Sequence, residues 1–309
     1  MIHTLTLSPC IDLTLSVRNR LRLGEAQRLE APLEFAGGKG VNVSCALHML
    51  GLSTSAWVFL GGDRGKRWEN LSKDLGIEIE TVLVASETRQ NIKIFEEGLS
   101  RQTDLNTPGP VFEEKAWSAF LDRLRNRLAP GDILVLAGSI FQDPPKDWAE
   151  RLSQTVRSSG AKMVVDTSGT PLAQLAHTSP WAVKVNRLEF DEWQGADYPT
   201  LAGVADFLTE KGFDDCHLVV TDGSSGALGW SKRKEAFPVG APAVQVGGTV
   251  GAGDAFTAGW LAGWLEKEGD WPHAMRMGAA VAAGAVELPG TSFPSIERVG
   301  EILRQIEIS

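Results

Sequence analysis

The chain has 309 residues, 43% hydrophobic and 22% charged, enough for one sizeable packed core or two modest ones. Its formal charge of −9 argues against non-specific nucleic-acid binding, and no run of about 18 apolar residues predicts a membrane span. Cys10, Cys45 and Cys216 are few and far apart, which offers no metal-ligand spacing and points to the reducing cytoplasm.

The opening "MIHTLTLS" reads as a strand, since it lacks the basic region, long apolar stretch and small-residue cleavage site of a signal peptide. Residues 11–35 then alternate polar and apolar side chains with period two, as a strand half exposed to solvent does. A glycine-rich turn and the helical pattern "VNVSCALHMLG" follow, and "STSAWVFLG" reads as the next strand. Residues 88–110 return to period two. After them "EEKAWSAFLDRLRNRLA" and "DWAERLSQTVRSSG" read as helices on either side of the strand "DILVLAGS". The strands "AKMVVDTS", "WAVKVNR" and "CHLVVTDG" complete the series, with the helix "TLAGVADFLTEKG" before the last of them.

Near-continuous apolar strands alternating with helices predict an α/β fold with a doubly wound, mostly parallel sheet in three layers. The two period-two segments are expected outside that sheet. No repeat, low-complexity tract or linker divides residues 1–309, so the expectation is one domain with a small β excursion at about 11–35 and 88–110.

Two familiar nucleotide signatures are missing. "GGDRGKR" near residue 65 has the wrong spacing for a P-loop and no Ser or Thr after its lysine, and Phe256 stands where a dinucleotide fingerprint needs its third glycine. The stretch "TVGAGDAFTAGW", residues 249–260, carries a different chemistry. Gly251 and Gly253 let several backbone N–H groups face one point at the positive end of a helix, which suits a phosphoryl group in transfer. Asp254 in the first helical turn reads either as a helix-terminus residue or as the base that takes a proton from an attacking hydroxyl. In "EFAGGKGVNVS", Gly37, Gly38 and Gly40 precede a helix, with Lys39 in the turn and Asn42 in the first helical turn. That is either a plain strand-to-helix turn with a solvated lysine, or a platform where a polyol approaches the backbone and Asn42 offers donor and acceptor.

Taken together, these motifs resemble the ribokinase-like (PfkB) carbohydrate kinases over nearly the whole chain, in family order and spacing. The resemblance implies a set of roles. Asp12, in "TLTLSPCIDLTL", would bind sugar hydroxyls beside the "GGKGVNVS" signature, and Ser139 in "AGSI" would face the sugar. "VKVNRLE" matches the family's N-x-x-E, so Asn186 and Glu189 would act near magnesium, largely through water, with Lys184 beside them on the nucleotide side. "VTDGSSGAL" would put Thr221, Gly223 and Gly226 near ATP. Asp254 would be the catalytic base, and the amides of Gly251, Ala252 and Gly253 the anion hole. The period-two segments would be a β lid over the sugar.

In "TRQNIKIF", Arg89, Asn91 and Lys93 alternate and so share one strand face. Each cation alone also reads as a solvated lid residue. With Lys39 they would form a basic cluster able to grip a phosphate, to which Arg28 is not expected to belong. The R-x-N-x-K strand followed by T-D-x-N and P-G-P resembles the branch of the family that acts on hexose phosphates. The implied reaction is ATP-dependent phosphorylation of a ketohexose phosphate, fructose 1-phosphate foremost. Tagatose 6-phosphate and fructose 6-phosphate come next, then an unphosphorylated sugar, with a non-enzymatic sugar sensor as a remote alternative. ATP and Mg2+ are the implied cofactors, with a monovalent cation optional. The expected partners are the small substrates and a second copy of the chain bound through the lid; neither nucleic acid nor membrane is expected. Four positions depart from the family pattern: Ile140-Phe141 replaces Leu-Pro beside the sugar, Asp222 replaces a hydrophobic residue, and Val185 replaces a proline.

Overall fold

The computed structural model describes residues 1–99, 101–288 and 290–308. Its strands, in chain order, are β1 (Ile2–Thr6), β2 (Cys10–Val17), β3 (Leu33–Gly37), β4 (Thr54–Leu60), β5 (Glu78–Leu83), β6 (Arg89–Glu96), β7 (Arg101–Leu105), β8 (Ile133–Ala137), β9 (Lys162–Asp166), β10 (Ala182–Asn186), β11 (His217–Thr221), β12 (Ala227–Trp230) and β13 (Ala236–Val239). The helices are α1 (Lys39–Met49), α2 (Gly62–Ser72), α3 (Glu114–Arg127), α4 (Trp148–Ser158), α5 (Gly169–Ala176), α6 (Arg187–Gln194), α7 (Leu201–Lys211), α8 (Ala252–Glu266), α9 (Trp271–Val286) and α10 (Ile296–Ile308).

Nine strands form the main sheet in the order β13-β12-β11-β10-β9-β8-β1-β4-β5. From β11 to β5 neighbouring strands run parallel, while at one edge β12 pairs antiparallel with both β11 and β13. β1, β4 and β8 are buried along their whole length, as strands covered on both faces must be. Leu5, Trp57, Phe59, Leu134, Trp117, Phe120 and Trp148 pack on one face, and Ile2, Val43, Val135, Trp260 and Trp264 on the other. The fold is therefore the expected three-layer α/β arrangement. β5 and the β12–β13 hairpin lie outside the strands that the sequence pattern predicts. Among the described residues no helix is long and apolar enough to cross a membrane.

The chain leaves the main sheet after Thr6 and enters β2 at Cys10, the start of a separate four-stranded sheet of order β3-β2-β6-β7. Both period-two segments contribute strands to it; Ser100 of the second segment lies outside the described residues. β2 pairs β3 antiparallel and β6 parallel, with Asp12 opposite Asn91 and Thr14 opposite Lys93. The register thus sets the polar residues of β2 and β6 on one face.

Phe141 does not stand at the loop's surface. It turns into the core, 4.9 Å from the Phe59 ring, 5.6 Å from Phe112 and 5.8 Å from Trp117 between centroids. Burying such a ring contributes roughly 1.5–3 kcal/mol. The ring that stands in place of the family's proline thus serves the packing of this core.

Candidate active site

In an open α/β sheet, ligands bind beyond the carboxyl ends of the strands where the winding reverses. Here that point lies at β1, whose neighbours β4 and β8 lead to opposite halves of the sheet. Gly138–Ser139 follow β8, Asp166 ends β9, Asn186 ends β10 and Thr221 ends β11, so the candidate residues share one edge.

Asp254 sits in the first turn of α8, only 5% exposed, and accepts a hydrogen bond from Asn42 Nδ2 at 2.7 Å. Burial, then the nearby Asp166 carboxylate, push its carboxyl up to about 6, against the pull of Lys39, Asn42 and Lys184. Its helix caps on Gly251, whose φ of 80° is a left-handed conformation that glycine adopts without strain. The first amide with a helical partner is that of Ala255, bonded to Gly251 O at 2.8 Å, while the Ala252 amide reaches Thr249 O at 3.3 Å. The amides of Gly253 and Asp254 thus have no acceptor within the helix and stand at its positive end. Beneath the turn, Lys184 Nζ lies 3.0 Å from where a side chain on Gly253 would begin.

The group that joins these parts carries no motif in the sequence. Asp166, fully buried at the end of β9, accepts from Lys184 Nζ at 3.0 Å and from Thr257 Oγ1 at 3.1 Å, both on Oδ2. Lys39 Nζ stands 3.6 Å from Oδ1. Burial raises the Asp166 carboxyl, but the charges of Lys184 and Lys39 more than offset it and hold it below the usual range. The Asp166 charge in turn is the main cause that raises Lys39 above the ordinary lysine range. Asp166 follows "KMVV" without a motif around it; only the habit of placing ligand groups at strand ends could have flagged it.

Lys39 is therefore turned toward Asp166, its stem against Gly138, and not toward the cations of the second sheet. Lys93 Nζ instead pairs with Asp12 Oδ2 at 2.9 Å, and Asn91 Nδ2 and Cys10 Sγ reach Asp12 Oδ1, both at 3.3 Å. Arg89 donates to Ser8 O through Nε and Nη2 and to Thr107 O through Nη1. Two of the five N–H groups of a guanidinium remain for a ligand. Arg28 is exposed on the stretch between β2 and β3.

Gly37 ends β3 against the Asp12 carboxylate: a Cβ there would lie 2.7 Å from Asp12 Oδ2 and 2.9 Å from Cys10 Sγ. Gly37→Ala is expected to swing that carboxylate aside. If Asp12 binds sugar hydroxyls, as the family resemblance implies, the KM for the sugar should rise roughly tenfold, the scale of one lost hydrogen bond to a charged group, with the KM for ATP unchanged. Equal changes in both would dissociate Gly37 from the sugar. Gly38, with φ of 152° and a Cβ position 2.7 Å from Thr6 Cγ2, caps α1 and carries the chain on to Asn42. One short turn thus joins the Asp12 group to the Asp254 group.

On the other flank, Asn186 and Glu189 form a capping box at the start of α6. Asn186 Oδ1 accepts from the Glu189 amide and Glu189 Oε2 from the Asn186 amide, each at 2.9 Å. Thr221 Oγ1 lies 3.5 Å from Val185 O, and Gly223 and Gly226 shape the next turn with φ of 51° and 95°. Ser139 is exposed beside Gly138.

Among the described residues no group of three or more His, Cys, Asp or Glu could cage a metal ion. Asp166 Oδ1 is sealed in beside Lys39 Nζ and does not face a water-bearing ion, whereas Glu189 has a second carboxylate oxygen beyond the one in the capping box and Asn186 is exposed beside it. Such a sparse oxygen set fits magnesium, which keeps water and substrate phosphates among its ligands.

The model of the pfkB family carbohydrate kinases matches residues 5–298. A 1-phosphofructokinase from Xanthomonas campestris is 33% identical, over 92% of this chain and 90% of its own. Another from Bacillus subtilis is 29% identical, over 100% of this chain and 99% of its own. Among solved structures, phosphofructokinase-2 from Escherichia coli in complex with potassium superposes with a TM-score of 0.90 at 26% identity, covering 99% of both chains.

Proposed function

The chain belongs to the pfkB family of carbohydrate kinases, and we propose that it transfers the terminal phosphoryl group of ATP to carbon 6 of fructose 1-phosphate, giving fructose 1,6-bisphosphate. One observation carries the chemistry: a buried carboxylate, pushed up to about 6, stands at the open amides of a helix start. Asp254 takes the proton of the attacking hydroxyl while Asn42 fixes its orientation. The amides of Gly253 and Asp254, with Lys184 and Lys39 behind them, stabilise the charge on the phosphoryl oxygens. Asn186 and Glu189 would hold magnesium, largely through water, and the ion would supply positive charge against the ATP phosphates. Thr221, Gly223 and Gly226 receive the nucleotide.

On the sugar side, Asp12, Asn42 and the Gly37–Gly38 backbone orient the hydroxyls, with Ser139 at the rim. Lys93 and the two uncommitted N–H groups of Arg89 grip the substrate's phosphate. Lys93→Ala is expected to raise the KM for fructose 1-phosphate by at least roughly tenfold, the loss of a charge-assisted contact, and far more than the KM for fructose. Equal increases for both sugars would mean that Lys93 does not read phosphate.

Fructose 1-phosphate stands ahead of fructose 6-phosphate because the 33%-identical relative is a 1-phosphofructokinase, whereas the phosphofructokinase-2 match stands at 26%. A coupled ADP-release assay across fructose 1-phosphate, fructose 6-phosphate, tagatose 6-phosphate, fructose and ribose tests the choice. The highest kcat/KM is expected with fructose 1-phosphate; a preference for fructose 6-phosphate would favour the second reading. We also propose a cytoplasmic homodimer through the second sheet, where Leu33 and Phe35 on edge strand β3 are 60% and 53% exposed. A monovalent cation is a further proposed ligand, supported by the potassium in the E. coli neighbour.

A further inference from the structure

Asp222 stands between Thr221 and Gly223, where a carboxylate has no place in the kinase mechanism above. It is not free. Arg187 Nε donates to Asp222 Oδ1 at 3.1 Å, and Nη1 of the same guanidinium donates to Asp191 Oδ2 at 2.8 Å and to Tyr198 O at 3.1 Å. Asp191 Oδ1 also accepts from the Tyr198 amide at 3.2 Å. Arg187 is therefore fixed from its own side by α6 and the loop after it, and Asp222 docks on that fixed fork.

The two residues belong to different segments. Arg187 is the first residue of α6, between Asn186 and Glu189 of the capping box. Asp222 starts the turn that closes through its own amide on Gly226 O at 2.8 Å and through Ser225 N on its carbonyl at 2.9 Å. The strands behind them are already joined, Asn186 opposite Thr221 in the β10–β11 ladder, so the sheet does not need the pair. With side chains 19% and 24% exposed, the pair is partly buried, and it bridges two segments that the sheet behind them leaves free to differ only beyond their last ladder residues. What it does fix is the position of the 222–226 turn relative to the start of α6.

We propose that Arg187 and Asp222 are a positioning pair for the nucleotide. They hold the Thr221–Gly226 turn in register with Asn186 and Glu189, so that both segments meet one ATP–magnesium complex. The inference rests on the kinase reading and deepens it: loss of the pair loosens nucleotide binding and leaves the sugar side, built on Asp12 and β6, untouched.

The test combines Asp222→Ala, Arg187→Ala and the double variant, read by calorimetric titration with ADP and magnesium and by steady-state KM for both substrates. Each single variant is expected to weaken ADP binding and raise the KM for ATP roughly tenfold, within the range of coupled network residues, with the KM for the sugar phosphate nearly unchanged. The double variant should be no worse than either single one. Asp222→Asn, which keeps an acceptor for Arg187 Nε, should recover most of the affinity. Unchanged ADP affinity, KM values that rise together for both substrates, or a double-variant defect equal to the product of the singles would overturn the proposal. If Arg187→Ala fails to fold, Asp222→Ala and Asp222→Asn carry the comparison alone. A wild-type protein that releases no ADP with any sugar phosphate sinks the kinase reading, while the titrations still judge the pair.

Discussion

Asp254→Asn is expected to slow turnover by about 10²–10⁴-fold, the range for a lost general base, while the KM values for sugar phosphate and ATP stay close to those of the wild type. The substituted amide has the same shape and can still accept from Asn42, so binding geometry survives and only proton abstraction is lost. The pH profile separates this from a general defect. Because the Asp254 carboxyl is pushed up to about 6, the wild-type kcat/KM should fall as pH drops below about 6 and the base takes up a proton. The variant's residual rate should lack that limb. A variant that retains most of its activity, or keeps the same acid limb, would remove Asp254 from the mechanism.

The same substitution should stabilise the fold. A carboxyl whose pKa is higher folded than unfolded contributes stability that is present below the unfolded value and is lost as pH rises through the folded one. Between 3.8 and about 6 that loss amounts to at most about 3 kcal/mol, and it is complete at pH 7. Asp254→Asn should therefore resist denaturant better than the wild type at pH 7 to 8 and show no advantage below pH 4. Activity and stability are here opposed at one buried residue, a common condition of sites that keep an unfavourable charge where chemistry needs it.

The parts of this site legible in the sequence are those whose chemistry is local. "TVGAGD" and "GGKG" announce glycine turns before helices, because backbone conformation and amide direction are properties of a few adjacent residues. The alternation of Arg89, Asn91 and Lys93 correctly gives one strand face, since the period of a strand is fixed. What the sequence does not reveal is which partner each side chain finds across the fold. Lys39 reads as a phosphate grip beside Lys93, yet it turns to Asp166, because a fully buried carboxylate attracts any cation in reach. Asp166 itself is one aspartate at a strand end, and its importance comes from Lys184 and Thr257, 18 and 91 residues away. Asn186 and Glu189 illustrate the reverse case: the N-x-x-E spacing that suggests a metal shell is also, physically, a helix capping box. Phe141 is a residue whose surprise vanishes once its aromatic neighbours from β4 and α3 are known.

Asp166→Asn is the second large effect. It removes the one anion shared by Lys184 and Lys39, leaving Lys184, which is 4% exposed, as a buried cation without its ionic partner. Breaking a buried pair in this way costs roughly 3–5 kcal/mol, measurable as an earlier denaturation midpoint at unchanged slope. The chemistry should shift in a definite direction as well. Asp254 is raised by burial and by the Asp166 charge, while Lys39 and Lys184 lower it. With Asp166 neutral, burial alone still raises Asp254 against the two ammonium groups, so its pKa falls and the acid limb of kcat/KM moves below about pH 6. Asp254 then becomes a weaker base, and the plateau rate at pH 8 falls even though the base is fully ionised there. A limb that stays at about 6 in a folded variant would mean that burial alone sets the base, with the second carboxylate only a counter-ion. A limb that moves down would identify Asp166 as the residue that tunes the proton acceptor, while Lys184 and Lys39 supply the positive field for the transferred phosphoryl group.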